Sequence, residues 1–183
     1  SNAADSAMVA VVKLTPEKVE ELAGQFDQVY PVNYNSPAQT VCAGLSSSMD
    51  GFKAAVKEAG GRALPLKVSG AFHSPFMASA AEGLKQVLSG MAFGAPCCPL
   101  YSNVTALPYE PGQFQDLLER QVISPVRWQT IVENMVADGV DTFIEVGPGK
   151  TLAGLIAKIN PDVKALNVED AESLRRTIEE VKA

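Results

Sequence analysis

Histidine, tryptophan and cysteine are scarce in this 183-residue sequence: His73, Trp128 and three cysteines, Cys42, Cys97 and Cys98. One histidine and no C-x-x-C pair leave no ligand set for a zinc site, and an odd cysteine count with an adjacent pair makes a poor disulfide framework. The pattern fits a reducing, cytoplasmic compartment. Basic residues are also outnumbered. The 15 Lys and Arg face 21 Asp and Glu, for a net charge of -6, which argues against nucleic-acid binding, since that needs a basic footprint. No apolar run approaches the roughly 20 residues of a transmembrane helix. There is no internal repeat and no low-complexity segment. Ser1-Asn2-Ala3 reads as a scar of tag removal, with no signal peptide after it.

Hydrophobic residues, by contrast, make up 46% of the chain, enough for the core of one ordinary domain or of a small domain plus part of another. Met8 to Leu14 is apolar and β-branched, a buried strand. Thr15-Pro16 opens a helix with Val19, Leu22, Ala23 and Phe26 as its stripe. Val29 to Tyr34 and Thr40 to Leu45 read as strands about the turn Asn35-Ser36-Pro37. Ser46 to Ser48 enter a second helix, closed by Gly60-Gly61, and Leu64 to Val68 is the fourth strand. The order β-α-β-β-α-β is the ferredoxin-like pattern, with four antiparallel strands and both helices on one face.

Beyond residue 73 helices dominate. Phe76, Ala80, Leu84, Val87, Leu88 and Met91 recur at helical spacing, Leu100 to Asn103 reads as a short strand, and Phe114, Leu117 and Leu118 mark another helix. Ser124-Pro125 predicts a helix start, with Val126, Ile131, Val132 and Met135 on the stripe and Gly139 as the stop. Thr142 to Val146 and Val163 to Val168 read as strands, each followed by an amphipathic helix. Strands alternating with helices from residue 99 onward predict an α/β layer with a mostly parallel sheet.

His73 stands where the fourth strand meets the next helix, with Ser74 as the expected cap and Pro75 as the first helical residue. From that joint an imidazole reaches into a cleft from a rigid base, and it is the side chain best suited to general base work near neutral pH. Gly147-Pro148-Gly149-Lys150-Thr151 fails as a phosphate loop: the first glycine of that pattern falls on Ile144. It reads as a tight strand-to-helix turn, whose helix N-terminus is expected to favour an anion. Ser46, Ser47 and Ser48 lack the G-x-S-x-G elbow of a nucleophile.

Taken together, Asn33-Tyr-Asn-Ser-Pro-Ala-Gln39, Ser69-Gly-Ala-Phe-His-Ser-Pro75, Tyr101-Ser-Asn-Val-Thr105, Gln121 through Ser124-Pro-Val-Arg-Trp128 and Ile144-Glu-Val-Gly-Pro-Gly149 resemble the malonyl-CoA:acyl carrier protein transacylases. The ending, Leu166-Asn-Val-Glu-Asp170 plus a helix, is also like that family. The resemblance implies an α/β fold with an α+β insert. Residues 8–70 would be a ferredoxin-like small subdomain, and residues 71–183 the C-terminal part of an α/β-hydrolase-like large subdomain. It implies His73 as general base and acid of a Ser-His pair, and Gln121 as the residue whose backbone carbonyl holds the imidazole. Asn35 and Gln39 would line the cleft. Phe72 would crowd an α-methyl branch on the acyl group, a discrimination of roughly 1–3 kcal/mol.

The implied substrates are malonyl-CoA and phosphopantetheinyl acyl carrier protein, with no metal or redox cofactor. The family's nucleophilic serine in G-H-S-x-G, its glutamine-rich oxyanion segment and its carboxylate-binding arginine match nothing in this sequence. The resemblance places them upstream, so the chain reads as a C-terminal portion, inactive by itself. Alternatives are an acyltransferase domain of a polyketide or fatty acid synthase, a non-catalytic carrier-docking fragment, and a ferredoxin-like binding module. An RNA-recognition version of the last would need an aromatic central strand, whereas Thr40-Val-Cys-Ala-Gly-Leu45 has no aromatic residue.

Overall fold

A computed structural model describes residues 5–68 and 70–182. Ser1-Asn2-Ala3, which the sequence suggests is a scar, and Ser69 of the histidine motif lie outside the described residues. The chain forms two compact units, Ser1–Ile131 and Val132–Ala183.

The first unit begins β1 (Ser6–Val12), α1 (Pro16–Ala23), β2 (Val29–Ser36), β3 (Gln39–Leu45), α2 (Ser46–Glu58), β4 (Arg62–Pro65). The four strands form one sheet in the order β2-β3-β1-β4, antiparallel at every pairing. Side chains alternate across a strand, and here both faces are covered. Val9, Val11, Val29 and Cys42 pack with Val19 and Leu22 of α1 and Met49, Phe52 and Val56 of α2. Met8, Ala10, Val32, Val41 and Ala43 lie in a second cluster with Ala71, flanked by Tyr30 and Phe76. Two buried faces explain why β1 reads as a continuous apolar run. Thr15 caps α1, its Oγ1 accepting from the Lys18 amide at 3.4 Å.

Several elements differ from their sequence reading. β4 starts at Arg62, opposite Val12, and ends at Pro65, and its place at the edge of the sheet lets it include that proline. The Ser74-Pro75 joint opens a 3-10 turn, Pro75–Met77, before α3 (Ala78–Leu88) begins. Leu100 to Asn103 makes no strand. It folds back through a single Tyr101–Pro108 bridge and bonds from the Ser102 amide to the Leu107 carbonyl and from the Tyr109 amide to the Leu100 carbonyl. After α4 (Phe114–Arg120), Val126 does not enter a helix. Its amide donates to the Val32 carbonyl and its carbonyl accepts from the Tyr34 amide, both at 2.8 Å. The outer edge of β2 offers unpaired backbone groups, and satisfying them outweighs the helical start that Pro125 permits. The helix, α5 (Trp128–Ala137), begins two residues later, and the division between the units falls inside it.

The second unit continues with β5 (Thr142–Val146), α6 (Thr151–Ile159), β6 (Lys164–Val168) and α7 (Ala171–Lys182). β5 and β6 pair in parallel from Thr142–Lys164 to Val146–Val168, with α6 as the crossover that parallel strands require. This is the α/β character that the alternation predicts, but the sheet has two strands among the described residues. Val146 is therefore 79% exposed, whereas a strand inside a larger parallel sheet is covered on both faces. Among the described residues no helix is long and apolar enough to cross a membrane.

Candidate functional site

His73 follows β4 on a short loop that is pinned from both sides. Ala71 is buried in the sheet's second cluster, and the Ser74 hydroxyl, 1% exposed, donates back to the Ala71 carbonyl. Ser74 thus ties the loop instead of capping the helix, and its hydroxyl makes no cap hydrogen bond. Between these anchors His73 sits at φ 59, in the left-handed region. A residue with a Cβ pays about 1–2 kcal/mol for that conformation, and it persists only where the surroundings fix it. Such strain at a half-buried imidazole directs attention to this residue for a reason independent of its motif.

The surroundings include Gln121. This residue is the C-cap of α4, its amide closing the helix on the Leu117 carbonyl. Its own carbonyl belongs to the last turn, where carbonyls lack a partner within the helix. His73 Nδ1 lies 2.9 Å from that oxygen. A carbonyl only accepts, so Nδ1 carries the proton, and Nε2 is left with a free lone pair. An imidazole so oriented accepts a proton at Nε2, and the carbonyl stabilises the imidazolium that results. Gln121 acts here through its backbone, not its amide side chain.

The other expected site residues are placed differently. Asn35 is near the end of β2, and Gln39 opens β3 across the two-residue turn Pro37-Ala38, paired with Ser36. Both are half-buried. Phe72 is 41% exposed, its ring against Gly70, where a Cβ would sit 3.6 Å from the ring. Of these residues, His73 and Gln121 are joined by a hydrogen bond, and among the described residues none joins Asn35 or Gln39 to either. Sequence reasoning missed Ser74's tie to Ala71 and the pairing of Val126 with β2, which holds the segment that follows Gln121. The first had a local signal in the three-residue spacing from Ala71 to Ser74. The second had none, because it joins residues some ninety positions apart.

At the Gly147-Pro148-Gly149 turn and the helix start that follows it, two of the backbone donors are already engaged. The Glu145 carboxylate accepts from the Ala153 amide, and the Glu169 carboxylate from the Gly149 amide, both at 2.8 Å. Donors expected to attract an anion are taken by the chain's own carboxylates. Among the described residues no cluster of three or more His, Cys, Asp or Glu is arranged to hold a metal ion.

Comparison with known proteins places this geometry in a family. Residues 1–183 match the family described as Acyl transferase domain. The chain is 36% identical to the malonyl CoA-acyl carrier protein transacylase of Bacillus subtilis, covering 98% of this chain and 59% of that protein. It is 40% identical to the protein of that name from Haemophilus influenzae, over 91% of this chain and 55% of the other. Among solved structures, the malonyl CoA-acyl carrier protein transacylase of Clostridium perfringens superposes with a TM-score of 0.95 at 38% identity, covering 100% of this chain and 59% of that one. A malonyl-transacylase in complex with a type II PKS acyl-carrier protein gives a TM-score of 0.93 at 36% identity, over 98% and 60%. The chain thus spans less than two thirds of the length of these relatives, and it belongs to the acyl transferase domain family.

Proposed function

We propose that this chain is the histidine-bearing portion of a malonyl-CoA:acyl carrier protein transacylase of fatty acid synthesis. The observation that carries the reading is the 2.9 Å contact of His73 Nδ1 with the Gln121 carbonyl. It supplies the orienting partner that a Ser-His pair needs and frees Nε2 to work. Supporting it is the likeness to relatives named for this reaction. We read the antiparallel sheet and its two helices, residues 8–70, as a ferredoxin-like small subdomain. Residues 71–183 are then part of an α/β-hydrolase-like large subdomain.

In the first step Nε2 takes the proton of a serine hydroxyl as the oxygen attacks the thioester carbonyl of malonyl-CoA. The imidazolium then protonates the departing coenzyme A sulfur, leaving a malonyl ester on serine. In the second step Nε2 takes the proton of the phosphopantetheine thiol of the carrier protein, sulfur attacks the ester, and serine leaves with that proton. We place the serine outside these residues, since none of the chain's serines stands in a G-x-S-x-G elbow. Asn35 and Gln39 are assigned to the cleft wall, and Phe72 to the rejection of α-branched acyl groups. The reaction requires no metal or redox group.

The test is release of coenzyme A from malonyl-CoA in the presence of acyl carrier protein. By itself the chain is expected to give none, because a nucleophile and its base act as a unit. Fused to the segment of the Bacillus subtilis relative that it does not cover, it is expected to turn over, and His73→Ala in that fusion to abolish turnover. A fusion that unfolds cooperatively yet releases no coenzyme A contradicts the reading.

A further inference from the structure

The three cysteines are not alike. Cys42 lies in β3 with no exposure, and burial pushes its thiol up to about 12, so it is a packed hydrophobe at neutral pH. Cys97 and Cys98 are free and exposed, in the irregular segment between α3 and Tyr101. That segment is anchored at both ends. Upstream, Phe93 stacks on Phe114 at 5.6 Å, and Phe114 stacks on Tyr109 at 4.9 Å. Downstream, the Leu100 carbonyl accepts from the Tyr109 amide. Between the anchors, no hydrogen bond to another described residue holds the backbone of residues 92–99. Pro96 and Pro99 bracket the pair, and Pro99 disfavours a helical conformation at Cys98. The two cysteines are therefore adjacent along an exposed backbone that no helix or strand constrains.

We propose that Cys97 and Cys98 form a vicinal dithiol, a single two-sulfur modification site that takes small disulfides of the glutathione class. One thiolate attacks a sulfur of the small disulfide, whose S–S bond breaks and releases one thiol. The neighbouring thiolate then attacks the protein-bound sulfur and expels the second. Two protein thiols are oxidised to one Cys97–Cys98 disulfide, one small disulfide is reduced to two thiols, and both protons leave on them. The ring cannot be relaxed. Adjacent Cα atoms stand about 3.8 Å apart across a trans peptide, short of the roughly 4.4–6.8 Å that unstrained disulfides span. The bond is accordingly labile, and excess small thiol reverses it. The site owes nothing to the proposed acyl transfer and stands or falls separately from it.

The experiment treats the reduced chain with glutathione disulfide and reads intact mass and the peptide containing both residues. The wild type is expected to lose two hydrogens on that peptide, with no lasting glutathione adduct, and to regain them in excess reduced glutathione. Cys97→Ser and Cys98→Ser are each expected to keep one glutathione, and Cys42→Ser to behave as wild type. A second probe is phenylarsine oxide, whose arsenic takes two thiols with loss of water. It should shield both cysteines of the wild type from alkylation and neither single variant. A wild type that remains unmodified, carries lasting glutathione, links to a second chain, or leaves its cysteines unshielded overturns the proposal.

Discussion

At φ 59, His73 should be less stable as alanine than as glycine, the reverse of the usual order. Both substitutions remove the imidazole and its bond to Gln121, so that loss cancels between them. What remains is the Cβ. In the left-handed region a Cβ costs about 1–2 kcal/mol, which glycine does not pay. Against this, glycine's greater freedom in the unfolded chain costs roughly 0.4–1 kcal/mol. The balance favours His73→Gly over His73→Ala by about 0.5–1 kcal/mol. Gly83 provides the opposite control. It lies within α3, where an added Cβ meets nothing within 4 Å, so Gly83→Ala should stabilise by about 0.5–1 kcal/mol. Urea unfolding followed by fluorescence of the single Trp128 reads all of these. With an m value of about 2 kcal/mol/M, the His73 variants should differ by roughly 0.2–0.5 M in midpoint. If His73→Ala is as stable as His73→Gly, while Gly83→Ala behaves as expected, the loop is not held in the left-handed conformation and the strain argument fails.

Three further outcomes follow from the same geometry. Gly44→Ala should destabilise by about 1–3 kcal/mol, because its Cβ would sit 2.8 Å from the Gln28 carbonyl and 3.1 Å from Val29 Cα, both backbone atoms; a thermal melt reads the loss. Gln121→Ala, in a fusion that turns over, should keep most of the activity that His73→Ala abolishes, since the contact is made by the Gln121 carbonyl; a fall in coenzyme A release as deep as that of His73→Ala would refute this. Asp170 caps α7 by accepting from the Ser173 and Glu172 amides, and the Ser173 amide first of all holds its carboxyl below the usual carboxylate range. Its contribution should be fully present above the ordinary carboxylate pKa and lost as pH falls through the lowered one. Asp170→Asn should therefore flatten that acid limb of the stability profile, measured by circular dichroism against pH.

The elements that could be read from sequence are those whose neighbours are local. The apolar stripe of α1 is closed by Thr15 and by Gly24, and β1 and β3 are apolar because the sheet is buried on both sides. Thr142 to Val146 was bounded by Gly139 and Gly147, and the strand runs over those residues. What escaped depends on partners far along the chain. Val126 has a helical context and is drawn to the edge of β2. Leu100 to Asn103 has strand-like composition, yet among the described residues no second strand lies beside it. The glycine turn before α6 looks ready for an anion until Glu145 and Glu169 are placed, and Glu169 is twenty residues away. The motif pointed to His73 and Gln121, but the strain at His73 and the tie from Ser74 are properties of the folded loop.

The most direct test of the account is the protonation state of its one histidine. Long-range nitrogen–proton spectra of the nitrogen-15-labelled chain resolve a single imidazole without assignment. At a pH where the ring is neutral, the account predicts the proton on Nδ1, donated to the Gln121 carbonyl, with Nε2 bare. A neutral ring protonated on Nε2 would contradict it, since the nitrogen required to accept the serine proton would already hold one.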